Sequence, residues 1–125
     1  MPWELTVQHP NGHRLGSPKE VTAALSRVWP ELQWETLEPP SPPMTVGILE
    51  DDSFSFEVHG FDADPVEDFY LDIRGNGDPT PLLMQLKTQA GLSIKELATG
   101  RLLDERQLRE RWANYRQLSD ASPAQ

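Results

Sequence analysis

The sequence predicts an α+β fold in which an antiparallel sheet carries helices on one face. Three observations carry that expectation: short segments of apolar–polar alternation, helical apolar stripes behind recognisable cap residues, and consecutive strand segments joined by turns. The expected element order is β-α-(β)-β-β-β-α-β-β-α. A chain of 125 residues is long enough for one hydrophobic core, so residues 1–118 are expected to form a single domain and residues 119–125 a loose C-terminal tail.

Trp3, Leu5 and Val7 alternate with Glu4, Thr6 and Gln8, the pattern of a half-buried strand, and His9-Pro10-Asn11-Gly12 follows as a turn. Ser17-Pro18-Lys19-Glu20 joins an N-cap serine, a first-turn proline and a glutamate spaced to return the cap's hydrogen bond, so a helix starts here. Val21, Ala24, Leu25, Val28 and Trp29 recur at helical spacing as its buried stripe, and Pro30 ends it. Residues 32–37 read as a short strand around Trp34. Pro39-Pro40-Ser41-Pro42-Pro43 reads as a stiff, extended connector, because proline fixes φ and lacks the amide donor.

Residues 45–49 form the next expected strand, Glu50-Asp51-Asp52-Ser53 a turn, and Phe54, Phe56 and Val58, alternating with Ser55, Glu57 and His59, the second arm of a hairpin. After a polar turn over residues 60–68, Phe69, Leu71 and Ile73 alternate with Tyr70, Asp72 and Arg74 in a third strand. This meander has one apolar face and leaves Glu57, His59, Tyr70, Asp72 and Arg74 on the other. Gly75-Asn76-Gly77 is a tight turn, with Asp78 as N-cap and Pro79 in the first turn of a helix built on Leu82, Leu83, Leu86 and Ala90. Gly91 closes that helix. Residues 92–97 and 101–103, around Ala98-Thr99-Gly100, are expected to form a last hairpin. Asp104 then caps a terminal helix, with Gln107 at the capping-box position and Leu108, Trp112, Tyr115 and Leu118 on one stripe.

The formal net charge is -9. Between residues 50 and 78 stand ten acids (Glu50, Asp51, Asp52, Glu57, Asp62, Asp64, Glu67, Asp68, Asp72 and Asp78) and one strong base, Arg74, so this stretch carries the whole imbalance. The rest of the chain is electrically balanced. Solvated loops and strand faces often look like this. The functional reading is a concentrated acidic face that steers a basic protein partner in a salt-sensitive way. Asp72, Asp78 and Asp62 suit structural roles, which leaves Glu50, Asp51, Asp52, Glu57, Asp64, Glu67 and Asp68 as the expected partner-binding residues.

Composition narrows the alternatives. With no cysteine, disulfides, thiolate metal sites and cysteine nucleophiles are excluded. No apolar run approaches the roughly 20 residues of a membrane span, and residues 1–9 lack a signal-peptide pattern, so a cytoplasmic protein without membrane contact is expected. The acidic balance disfavours nucleic acid as a partner. His9, His13 and His59 lack zinc-site spacing, and no nucleophile or orienting carboxylate accompanies them in sequence. Asp62-Ala63-Asp64-Pro65-Val66-Glu67-Asp68 is dense in carboxylates but lacks the EF-hand glycine and terminal glutamate. No catalytic residue, metal site or cofactor is therefore expected. Arg74-Gly75-Asn76-Gly77-Asp78-Pro79 is a glycine turn feeding a helix N-terminus, a geometry that cradles anions, yet Asp78 would repel phosphate and no Walker lysine follows.

That turn, together with Leu97-Ala98-Thr99-Gly100-Arg101-Leu102-Leu103-Asp104 and Trp112 in the tail, resembles a group of small uncharacterised bacterial proteins. That group shows an RGxGDP-type turn before a helix, then a TGxxxD hairpin. Asn76 stands where the group's pattern has glycine. The resemblance covers the second half of the chain and implies a fold but no catalytic residue; some small acidic proteins of this kind resemble immunity proteins that neutralise a cognate toxin. The expected function is accordingly an acidic, non-enzymatic protein-binding module, an immunity or antitoxin-like inhibitor of a basic toxin domain. Two alternatives stand beside it. One is a small enzyme or ligand-binding domain using the Arg74 to Asp78 turn with His59 or Asp72, and the other an accessory protein that self-associates through exposed Trp112 or Tyr115.

Overall fold

A computed structural model describes residues 3–38 and 44–121, the side chains of 117–121 excepted. The proline-rich connector and the Leu118 side chain lie outside the described residues. The fold is α+β, as the alternation and cap signals predict. It comprises β1 (Trp3–Gln8), α1 (Pro18–Val28), β2 (Gln33–Leu37), β3 (Met44–Glu50), β4 (Phe54–His59), β5 (Asp68–Gly75), α2 (Thr80–Gln89), β6 (Ser93–Glu96) and α3 (Glu105–Ala121).

The six strands form one sheet in the order β2-β3-β4-β5-β1-β6, and every neighbouring pair is antiparallel. β5 and β6 both run against β1, so they run the same way, and α2 is the crossover between them. A helix suits that connection because parallel strands need a long return path.

One face of the sheet builds the core. Trp3, Leu5 and Val7 of β1, Leu49 of β3, Phe56 and Val58 of β4, Phe69, Leu71 and Ile73 of β5 and Ile94 of β6 pack with Val21 and Leu25 of α1, Leu83 and Leu86 of α2, and Leu108 and Trp112 of α3. All three helices therefore contribute to the core on that face. At about 25 cal/mol for each Å² of apolar surface withdrawn from water, this layer is the main source of stability.

Local signals set the helix ends. Ser17 Oγ accepts from the Glu20 amide at 3.1 Å while Glu20 Oε1 accepts from the Ser17 amide at 3.0 Å, completing the expected capping box. These bonds, the Ser17 backbone amide first and its hydroxyl second, hold the Glu20 carboxyl below its usual value. Asp104 and Gln107 make the same reciprocal pair, at 2.8 and 2.9 Å, before α3.

Three expectations need correction. Asp78 is not the N-cap of α2; Pro79 holds that place, and Asp78 Oδ1 accepts from the Thr80 amide at 3.0 Å. The last hairpin has only one regular strand: across from β6, residues 101–103 are reduced to an isolated Lys95–Leu102 bridge, because the chain must turn at Asp104 into α3. Finally, α3 runs to Ala121, three residues into the stretch expected to be tail.

Candidate functional site

The second face of the sheet carries no helix among the described residues, and strand register decides what lies across it. Asp72 on β5 pairs with Glu57 on one side and with Glu4 on the other. Glu57 in turn faces Ile48, and Ile48 faces Gln33. A row of Gln33, Ile48, Glu57, Asp72 and Glu4 thus crosses five strands, its last three members being adjacent carboxylates. Directly opposed like charges repel, so this row raises the electrostatic energy of the fold.

A parallel row holds His59, Tyr70, Thr6, Lys95 and Leu102. The His59 imidazole reaches diagonally to the acid row, with Nε2 3.3 Å from Asp72 Oδ2. That distance suits an ion pair, but the approach is off-line, and Nε2 is buried without a hydrogen-bond partner among the described residues. The Thr6 hydroxyl on the same face is likewise buried and unpaired. Tyr70 lies against His59, their ring centroids 5.6 Å apart. The charge of Asp68, then burial, the hydrogen bond to Asp68 and the charge of Asp62 push the Tyr70 phenol above its usual value, which keeps it neutral.

Large exposed apolar side chains gather at the margins of this face. Leu37 and Met44 are cross-strand partners on the β2–β3 side, and Leu102 bridges Lys95 at the other edge. A polar, acidic centre between apolar margins is what this face offers to solvent.

The acids expected to bind a partner fall into two groups at opposite ends of β4, with Glu57 between them. Glu50, Asp51 and Asp52 lie where β3 turns into β4, while Asp64, Glu67 and Asp68 lie between β4 and the start of β5. Six residues of strand separate the groups, about 17 Å at 3.4 Å per step. In the first group Asp51 Oδ1 accepts from the Ser53 amide at 3.1 Å and its hydroxyl at 3.2 Å, so this carboxylate shapes the turn; Glu50 and Asp52 are exposed. The second group lines an open cleft of about 410 Å³ together with Asp62, Arg14 and Tyr70. Arg14 comes within 4.0 Å of Glu67, an exposed contact of little energetic weight. Among the described residues, no three His, Asp or Glu side chains are grouped to hold a metal ion.

The glycine turn is occupied by its own structure. The Asn76 and Gly77 amides both donate to the Ser53 carbonyl, at 2.8 and 3.0 Å, and the Gly77 carbonyl accepts from Trp112 Nε1 at 2.6 Å. Amides that would cradle an anion are thus already engaged. The acids next to Arg74 in sequence have other neighbours: Asp72 contacts His59, and Asp78 lies 3.9 Å from Arg109. His9 and His13 stack on each other, centroids 4.6 Å apart, and His9 Nδ1 accepts from the Asn11 amide, so both serve their turn. Trp112, expected as an exposed contact residue, is buried against Trp3 at 5.6 Å, with Tyr115 stacked on its other side at 5.5 Å. Of the two residues on which self-association was expected, Trp112 is therefore buried and Tyr115 half-buried.

Glu4 was not among the expected partner-binding residues, because it lies outside the acidic stretch. Its alternation with Trp3 and Leu5 fixes its face, but only β1's place beside β5 sets it next to Asp72. No family model matches this chain, and no curated protein matches it. No helix among the described residues is long and apolar enough to cross a membrane.

Proposed function

We propose that this chain is a non-enzymatic protein-binding module whose helix-free sheet face receives a basic protein surface. The supporting observation is the Glu57–Asp72–Glu4 row: three carboxylates set side by side on adjacent strands although like charges repel, with the His59 imidazole 3.3 Å from Asp72. Such a row destabilises the free chain and is relieved when lysine or arginine side chains arrive, which gives salt-sensitive association. An immunity or antitoxin-like inhibitor of a basic toxin domain is the form of this function we favour. The absence of a transferable catalytic motif in the sequence agrees with it.

The test compares the wild-type chain with a Glu4→Gln/Glu57→Gln variant, each immobilised and exposed to extract of the native host. The wild type should retain a basic protein that added salt releases, and the variant should retain much less. Co-expression of the captured protein should harm cells only when the chain is absent. Equal retention by wild type and variant would refute the role of this face; harmless expression of the captured partner alone would refute the inhibitor reading.

A further inference from the structure

The two edges of the sheet are finished differently. At β6 the chain closes its own edge: the Glu96 amide donates to the Arg101 carbonyl and the Leu103 amide to the Ile94 carbonyl, both at 2.9 Å. At the opposite edge β2 pairs with β3 from Gln33–Ile48 to Leu37–Met44, and no described backbone group bonds its outer side. In an antiparallel pair, alternate residues of an edge strand turn both N–H and C=O outward, so β2 presents an unfilled main-chain ladder.

This edge is firmly held. The Trp34 indole lies so close over Gly47 that a Cβ there would come within 2.9 Å of the ring. Its Nε1 donates to Ser26 Oγ of α1 at 2.8 Å, and Phe61 meets the ring edge-on at 5.6 Å. Within Gln33–Leu37 the edge lacks the proline and lysine that natural edges use as guards; in sequence, Pro30 and Pro39 stand outside the strand on either side. What it has instead is acid: Glu35 within the strand and Glu38 just beyond its end are both exposed. Arg27, in the last turn of α1, is the base nearest in sequence.

That charge pattern selects the occupant. A second copy adding to β2 would set glutamates against glutamates, which opposes homotypic pairing. An extended segment bearing lysine or arginine meets the opposite charge and completes the ladder. Gln33, Glu35 and Leu37 share the open face with Ile48, Val46 and Met44, so side chains of an added strand would continue the same face. We infer that the free edge of β2 is the docking site for an extended, basic segment of the partner protein, which joins the sheet as a seventh strand. The inference rests on the protein-binding reading above and assigns that reading a mode.

The test titrates the isotope-labelled chain with an eight-residue peptide of alternating lysine and threonine, and with the same peptide methylated at every backbone nitrogen. The unmodified peptide should shift the amide resonances of residues 33–37 and slow their hydrogen exchange. Backbone methylation should weaken binding by roughly tenfold or more, the worth of one or two hydrogen bonds. Glu35→Lys, an exposed change that leaves the core untouched, should weaken the unmodified peptide in the same way. Equal binding of both peptides, with shifts confined to Glu4, Glu57 and Asp72, would overturn edge docking and leave the acidic-face reading standing. An absence of any change at residues 33–37 would overturn it too, while the capture experiment decides the broader reading independently.

Discussion

Trp3 donates its indole N–H to Glu96 Oε2 at 2.9 Å, inside the core and across 93 positions of sequence. The same carboxylate accepts from Thr99 Oγ1 at 2.9 Å and from Arg111 Nε at 3.0 and 3.1 Å. Glu96 is 3% exposed and stands on the apolar face of the sheet, so its charge depends on these donors. Through them β1, β6 and α3 are fastened at one point, which Trp112 reinforces by packing on Trp3.

This knot gives the chain an acid-sensitive component of stability. Burial pushes the Glu96 carboxyl up, but hydrogen bonds from Arg111, Trp3 and Thr99, with the Arg111 charge, outweigh it and hold the group below its usual value. A carboxylate depressed in the fold adds stability that is present above its unfolded pKa and is lost as pH falls through the folded one. Glu96→Gln should lower stability at neutral pH by about 1–3 kcal/mol, the lower part of that range allowing for the partly exposed Arg111. Urea unfolding at a series of acidic pH values should show a shallower decline for the variant; parallel curves would remove Glu96 as the source.

Much of this architecture is legible in the sequence where its cause is local. The Ser17–Glu20 and Asp104–Gln107 boxes and the alternation of β1 need only neighbours within a turn or a strand. Register is not local. That Glu4 lies beside Asp72 depends on β1 entering between β5 and β6, which no residue near Glu4 announces. Glu96 was hidden for a related reason: its alternation puts it on the core face, and only α3 arriving with Arg111 makes that position tenable for a charge. The acidic stretch was visible as composition, but the fold puts most of it at the two ends of β4 and brings only Glu57 and Asp72 together in mid-sheet.

The Gly75 position should tolerate no side chain. Its φ is 116°, and an added Cβ would lie 2.5 Å from Phe54 Cα while striking the Ser53 carbonyl that organises the turn. Gly75→Ala should cost about 2–4 kcal/mol by combining backbone strain with displacement of β4. A Gly12→Ala control, also at positive φ but with open space around it, should cost less; equal losses would show that crowding is not the cause.

Trp112 closes the same turn from α3. Trp112→Phe would keep much of the aromatic packing on Trp3 while leaving the Gly77 carbonyl without its indole donor. The expected loss is about 1 kcal/mol, the worth of one hydrogen bond to an acceptor that is only partly buried. Hydrogen exchange should quicken at Asn76 and Gly77 in the variant. Unchanged protection there would mean that Ser53 alone holds the turn.

The acid row makes stability and binding respond in opposite directions to one substitution. Glu57 faces Asp72 directly, and Asp72 has Glu4 on its other flank, so neutralising Glu57 removes one adjacent like-charge pair. Glu57→Gln keeps the shape and should therefore stabilise the free chain by about 0.2–1 kcal/mol. Added salt should stabilise the wild type more than the variant, because screening relieves the repulsion that the variant lacks. The captured basic partner should bind the variant more weakly at low salt, chiefly through slower association. Thermal unfolding across a salt series, paired with association kinetics, checks both halves. A variant that loses stability, or one that gains stability and binds as before, would detach the row from partner binding.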